Sequence, residues 1–163
     1  MKKIYVALLI TALFILSGCS LLGGKKTFTE NGVSVKLDRV YRSVTKDFTG
    51  FNMVLEGPNS VFMANIEAKS DFTVDYTLSQ YTNLVLTGRS HSDIEHYTEG
   101  DIEFYYCTYE GEAEGILFKY LLVTKMNDDN YMTCNFYSPK SKFDNFYDKF
   151  LEAAQTIEFV DEE

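Results

Sequence analysis

Ile102-Glu103-Phe104-Tyr105-Tyr106-Cys107-Thr108-Tyr109, then ILFKYLLVTK over residues 116–125 and YMTCNFY over 131–137, are three apolar and aromatic runs separated by polar residues. Short runs rich in aromatic and β-branched residues, with turn formers between them, predict an antiparallel meander. The turns are read at residues 110–115 and 126–130. Symmetric hairpins about them would set Cys107 opposite Phe118 and Cys134 opposite Leu122. One face then carries Tyr105, Cys107, Phe118, Leu122, Met132, Cys134 and Phe136, the expected main core. In that register the two cysteines share a face but stand roughly 16 Å apart, at about 4.8 Å per strand and 3.4 Å per residue. A disulfide needs Cα atoms within about 7 Å, so no bridge is expected.

The opposite face of the meander is expected to carry Tyr106, Tyr131 and Tyr137 together with Leu117, Leu121 and Val123. Two readings stay open for it. A helix could cover it, or part of it could remain a binding surface, since tyrosine joins a large apolar area to a polar tip.

Toward the C-terminus, Phe143, Phe146, Tyr147, Phe150, Leu151 and Ala154 recur at helical spacing, with Ser141 and Asp144 in capping-box positions. Residues 157–160 read as a short closing strand. Toward the N-terminus, residues 94–97 form a strand that turns at Glu99-Gly100 into the meander. Leu78, Tyr81, Leu84 and Val85 predict a helix with Asp75 or Thr77 as N-cap and Gly88 as its stop. Asn31-Gly32 between residues 28–29 and 33–37 signals a hairpin, because both residues accept positive φ. Residues 51–55 and 61–68 flank a second turn at 56–60, and residues 38–46 show no period. All strand links are short, so the sheet is mostly antiparallel and the chain is a layered α+β domain.

The chain begins differently. Lys2 and Lys3 precede an apolar run over residues 4–15 that ends in Leu16-Ser17-Gly18-Cys19. This order matches a secretory signal, and its ending resembles a bacterial lipobox. The resemblance implies cleavage before Cys19 and acylation of its thiol and new amino group. The expected organisation is a lipoprotein signal peptide over residues 1–18, a lipidated Cys19 with a flexible tether over 19–26, and one α+β domain over 27–163. Against a permanent transmembrane helix, the run falls short of the roughly 20 residues a bilayer demands, and Gly23-Gly24-Lys25-Lys26 cannot extend it. Simple secretion is the remaining alternative. The expected location is the extracytoplasmic face of a membrane, held by lipid.

Removal of residues 1–18 leaves 163 − 18 = 145 residues, enough for one core. Lys2 and Lys3 leave with the signal, so the 15 basic residues fall by two against 24 acidic ones, a side-chain balance of −11. So acidic a body repels nucleic acid phosphates and anionic lipid headgroups, neither of which is an expected partner, and attachment is left to the acyl chains. Lys25 and Lys26 can still sit near anionic headgroups.

Chemistry is sparse. His91, Asp93, Glu95 and His96 are the one histidine-centred group of metal-ligand types, and a solvated strand edge is the expected reading. Glu110, Glu112 and Glu114, and separately Glu99, Asp101, Asp128 and Asp129, gather in turns without EF-hand spacing. There is no Gly-x-Ser-x-Gly elbow and no phosphate loop or dinucleotide fingerprint. Cys107 sits among tyrosines as a small hydrophobe. No catalytic residue, metal or cofactor is assigned.

The element order resembles the Mog1/PsbP-like fold. The resemblance rests on residues 28–35 (FTENGVSV), the helix after Thr77, the meander and the helix-strand unit over 143–159. It implies binding and accessory roles rather than one chemistry. The expectation is a non-enzymatic lipoprotein that binds an envelope protein partner. A small-ligand or cation binder is the alternative, and an uncharacterised hydrolase ranks third.

Overall fold

The computed structural model describes residues 24–161. The signal peptide, Cys19 and most of the tether lie outside the described residues. The strands are β1 (Lys25–Glu30), β2 (Val33–Asp38), β3 (Arg42–Ser43), β4 (Met53–Gly57), β5 (Ser60–Ala68), β6 (Glu95–Glu99), β7 (Ile102–Ala113), β8 (Ile116–Met126), β9 (Asn130–Pro139) and β10 (Glu158–Phe159). The helices are α1 (Leu78–Val85), α2 (Lys140–Phe143) and α3 (Tyr147–Ala154). Seven strands form one sheet in the order β3-β4-β5-β9-β8-β7-β6, and β1-β2-β10 form a second. Every pairing is antiparallel. The fold is the layered α+β architecture expected. β1 already takes in Lys25 and Lys26, the last two residues of the stretch read as tether.

Local chemistry shapes the turns. Asn31 and Gly32 join β1 to β2 at φ of 43° and 83°, the pair of positive angles that a two-residue hairpin of matching twist demands. Thr77 caps α1. Its hydroxyl accepts from the Gln80 amide at 3.3 Å, and the Gln80 side chain accepts from the Thr77 amide at 2.9 Å. The C-terminal helix departs from its reading. It is broken into α2 and α3, and neither Ser141 nor Asp144 makes a capping bond, because α2 starts one residue earlier, at Lys140 after Pro139.

The meander register differs from the symmetric reading, and the faces change with it. β7 runs on to Ala113, leaving Glu114-Gly115 as a two-residue turn, so Cys107 pairs with Leu122 rather than Phe118. That shift is an even number of residues and moves no side chain to the other face. The β8–β9 turn does. Met126 pairs with Tyr131, so the connection holds four residues instead of five, and Cys134 stands opposite Val123. Asn127 stabilises this shorter loop, its Oδ1 accepting from the Asp129 and Asn130 amides at 3.1 and 2.7 Å. A slip of one residue reverses every side chain of a strand relative to its partner.

The main core therefore contains Phe104, Leu121, Val123, Met132, Cys134 and Phe136, while Tyr105, Cys107, Phe118 and Leu122 lie on the second face. Leu121 and Val123, expected opposite the core, are inside it. Tyr106 also lies on the core side, packed against it beside Phe104. Cys107 and Cys134 project from opposite faces, so the sheet itself separates the thiols. Against the main face pack Phe28, Val33, Val35 and Leu37 from the small sheet, with Phe143, Phe150, Ala153 and Ala154 from α2 and α3. Phe136 is central, its ring 4.8 Å from Phe62 and 5.2 Å from Phe150.

On the second face α1 covers the end of the sheet nearest the β8–β9 turn. Tyr81 stacks on Tyr131 at 4.3 Å and 9°. Its hydroxyl donates to Glu67 at 2.5 Å and accepts from Thr133 at 2.8 Å. Tyr131 clips the segment before the helix, accepting from the Tyr76 amide at 2.8 Å and donating to its carbonyl at 2.7 Å. Thr82 and Thr124 share a buried hydrogen bond of 2.6 Å. Among the described residues no buried side-chain polar atom lacks a partner. Burial, reinforced by Glu67, pushes the Tyr81 hydroxyl well above its ordinary value. Burial also raises Tyr41.

Phe136→Ala should cost about 3–5 kcal/mol in chemical denaturation, whereas exposed Leu117→Ala should stay within about 0.5 kcal/mol. Equal costs would contradict the core assignment. The raised tyrosines set a second expectation. Unfolded tyrosines ionise near about pH 10, so the folded chain holds more protons above that pH and stability falls as pH rises further. Below it these groups are neutral in both states and contribute no slope. Denaturation midpoints should drop above about pH 10, and Tyr81→Phe should reduce the drop.

Candidate functional site

α1 has eight residues, a length of about 12 Å, whereas seven strands span about 29 Å. One helix of that size cannot cover the second face. The half beyond α1 carries a row of rings fixed by strand pairing, since Tyr109 pairs with Tyr120, Tyr120 with Tyr137, and Tyr137 with Val61. Tyr109, at one end of the row, is buried beside Leu86. Tyr109 and Tyr120 stack at 4.6 Å and 4°, Tyr120 and Tyr137 lie 5.0 Å apart, and Phe118 meets Tyr137 edge-on at 5.7 Å. Gly111 makes room for this row, because a Cβ there would come within 3.3 Å of the Tyr120 ring. Beyond α1, the chain turns at Gly88 (φ 78°) and brings the Arg89 guanidinium 5.0 Å from the Tyr109 ring centre.

The row thus reads cation, ring, ring, ring, ring across three strands. The faces of Tyr109 and Tyr120 are spent on each other and on Arg89, so they turn edges outward. The Tyr109 hydroxyl donates to Asn135 at 2.9 Å. Burial pushes Tyr109 up to about 12 despite the opposing pull of Arg89, and burial raises Tyr120 and Tyr137 as well. These hydroxyls are neutral hydrogen-bonding groups at physiological pH, not nucleophiles. Val61, Met63, Asn135, Phe118, Tyr120 and Tyr137 are each only partly buried, and Ile116 at the hairpin tip is 50% exposed. At the Arg89 end an open cleft of about 710 Å³ lies between the loop over residues 88–92 and the β7–β8 hairpin.

The remaining sequence candidates disperse. His91 makes a backbone bridge to Tyr109, and its Nδ1 lies 2.7 Å from the Ser92 carbonyl oxygen. His96 stacks on Tyr105 at 4.3 Å and pairs with Glu103 at 2.9 Å. Glu95 accepts from the Tyr106 hydroxyl at 2.8 Å on the other side of the sheet. Among the described residues no group of three or more metal-ligand types converges. Glu110 is paired with Lys140 at 2.8 Å. Burial alone drives the Cys107 thiol up to about 11, and burial raises the enclosed Cys134 further. Both behave as small hydrophobes.

Tyr137 and Tyr131 are on the face where the sequence analysis set them, but under different cover: α1 buries Tyr131 and leaves Tyr137 half open. Tyr109, Tyr120 and Arg89 were missed, and Phe118 was given to the core. The alternation Cys107-x-Tyr109 and Phe118-x-Tyr120-x-Leu122 held the signal, since residues two apart share a face.

No protein-family model matches the chain, and no curated protein matches it. Solved structures do. The PsbP protein of the cyanobacterium Synechocystis, CyanoP, has a TM-score of 0.59 at 13% identity, over 88% of this chain and 96% of that one. A protein from Bacteroides thetaiotaomicron gives 0.56 at 16% identity, over 87% of this chain but 50% of its own. LpqN of Mycobacterium tuberculosis, described as involved in cell envelope biogenesis, gives 0.55 at 11% identity, over 84% and 91%. At such identities the likeness speaks to fold alone, and the fold of this chain is PsbP-like.

Proposed function

We propose that this chain is a lipid-anchored envelope protein with a non-enzymatic, accessory role, and that the uncovered half of the sheet is where it binds a protein partner. The observation that carries the reading is the aromatic row, whose Phe118, Tyr120 and Tyr137 stay partly open on a rigid sheet although α1 and the segment after it cover the rest of that face. Exposed apolar patches framed by polar residues mark interaction surfaces, and tyrosine and arginine are the residues that concentrate binding energy at protein interfaces. Rings turned edge-on suit a protein surface better than a flat ligand that would need a free π face.

Support for the setting comes from two directions. The lipobox-like Cys19 gives an address outside the cytoplasm, and one structural neighbour is described by its part in envelope biogenesis. Among the described residues no helix is long and apolar enough to cross a membrane. The anchor in this reading is a set of acyl chains on Cys19.

The test is cross-linked co-purification of the lipidated protein from its own membranes, with Tyr120→Arg and Tyr137→Arg as variants. The long stems of arginine can lie along the sheet, and retained melting temperatures would show that both variants fold. A stoichiometric partner, captured by the wild type and reduced by about tenfold in either variant, is the expected result; a 1.4 kcal/mol loss suffices for that. Capture unaffected by both substitutions would remove the aromatic row from the interface. No captured partner at all would turn the search to small ligands.

A further inference from the structure

The described chain starts at one pole of the domain, and its charge there is opposite to that of the whole. Lys25, Lys36, Arg39 and Lys149 lie at this pole, near the carboxylates of Glu152 and Asp38. Lys25 pairs with Glu152, Lys149 lies 3.6 Å from Asp38, and the Arg39 amide donates to the Gly24 carbonyl at 3.1 Å. The low carboxyl of Glu152 has Lys25 as its main cause, with Lys36 and Lys149 adding to it. Lys25, Lys36 and Lys149 rim a narrow apolar pocket of about 160 Å³ lined by Leu37, Tyr41, Phe146 and Phe150. Val40 at its lip is 52% exposed. Lys26 follows in the chain and is also exposed.

Strand pairing locates this pole. β5 and β9 pair from Val61 with Tyr137 to Ala68 with Asn130. Pro58 and Ser60, which also line the pocket, therefore lie at the sheet end opposite Asp128 and Asp129. Glu99 and Asp101 share that far end, in the β6–β7 turn. An acidic body thus gathers cations where the described chain enters, with the Asp128, Asp129, Glu99 and Asp101 turns at the far end.

We propose that this basic pole is a membrane-docking surface for the anionic phospholipid headgroups of the bilayer that holds the anchor. The proposal rests on lipidation at Cys19. Five residues from Cys19 to Gly24 reach at most about 18 Å, so the pole that begins at Gly24 stays near the bilayer. There Lys36, Arg39 and Lys149 lie within reach of anionic headgroups, which attract each cation over about a Debye length. Val40 and the pocket lip supply an apolar contact below them. The hairpin tip with Glu112 and Glu114 extends past the same end of the sheet, several strands away. Its charge is repelled, so the domain tilts with the β3–β4 edge down and the aromatic row turned toward a neighbour in the plane of the membrane.

The test uses the full lipidated chain with vesicles of phosphatidylcholine alone or mixed with phosphatidylglycerol. Flotation is read together with amine acylation of Lys36 and Lys149, with Lys69 at the far end as reference. Flotation with both vesicles, plus at least about threefold slower acylation of Lys36 and Lys149 only where phosphatidylglycerol is present, is the expected result. Lys36→Glu with Lys149→Glu should keep flotation on both vesicles and expose Lys25 to acylation equally on both. Flotation with both vesicles but no lipid-dependent protection would overturn the docking surface and leave the anchor standing. Salt-sensitive flotation with phosphatidylglycerol alone would support the surface and refute the anchor. Flotation with neither would refute both.

Discussion

Val123 stands opposite Cys134, and that pairing decides which side chains of the two central strands enter each layer. β9 lies between β5 and β8 in the middle of the large sheet, so its register passes outward to both edges. With this pairing Met132, Cys134 and Phe136 point the same way as Phe62, Ala64, Leu121 and Val123, and all of them meet the small sheet and the C-terminal helices. A connection one residue longer would turn Leu122, Tyr120 and Phe118 inward, and would expose Leu121 and Val123. The four-residue loop held by Asn127 is therefore a small local feature with a domain-wide effect.

From that constraint follow two layers of unequal completeness. The main face is closed by β1, β2, α2 and α3, and twenty buried residues form its core. Among the described residues the second face has α1 as its one helix, with Leu86 and Ile94 from the segment that follows packed beside Cys107 and Tyr109. Its covered half depends on tyrosines that bury their rings and satisfy their hydroxyls, as Tyr81 does with Glu67 and Thr133. A buried hydroxyl without a partner would be costly, which explains why these rings are tied to specific neighbours. In the uncovered half, Tyr109 is tied to Asn135 while Tyr120 and Tyr137 stay partly solvated. Rigidity comes from the strands and chemical variety from the side chains.

Polarity along the other axis has the same origin. Antiparallel connections send alternate turns to opposite ends of the sheet. Here the β8–β9 and β6–β7 turns carry acidic residues to one end, while the other end holds the lysines at the start of β1 and, several strands away, Glu112 and Glu114 at the β7–β8 tip. Net charge alone hides this arrangement, since cations concentrated near one point act locally when salt screens charges beyond about a Debye length.

Several elements were legible without coordinates because their information is local. Asn31-Gly32 demands positive φ, Thr77 and Gln80 form a cap within four residues, and the aromatic spacing over residues 143–154 marks a helical face. These preferences are decided by sterics and hydrogen bonds among near neighbours, and the acidic balance is a matter of composition alone. The lengths of the meander turns were not local in this sense. Four residues or five between β8 and β9 is chosen by which alternate set buries more apolar surface against elements far away in sequence, Phe28 and Phe150 among them. The aromatic row was hidden for the same reason: Tyr109, Tyr120 and Tyr137 come from three strands, and only their pairing sets the rings in line. Residue types determined what each segment could be. The long-range packing free energy decided which faces met, how far α1 reached, and where rings and charges came together.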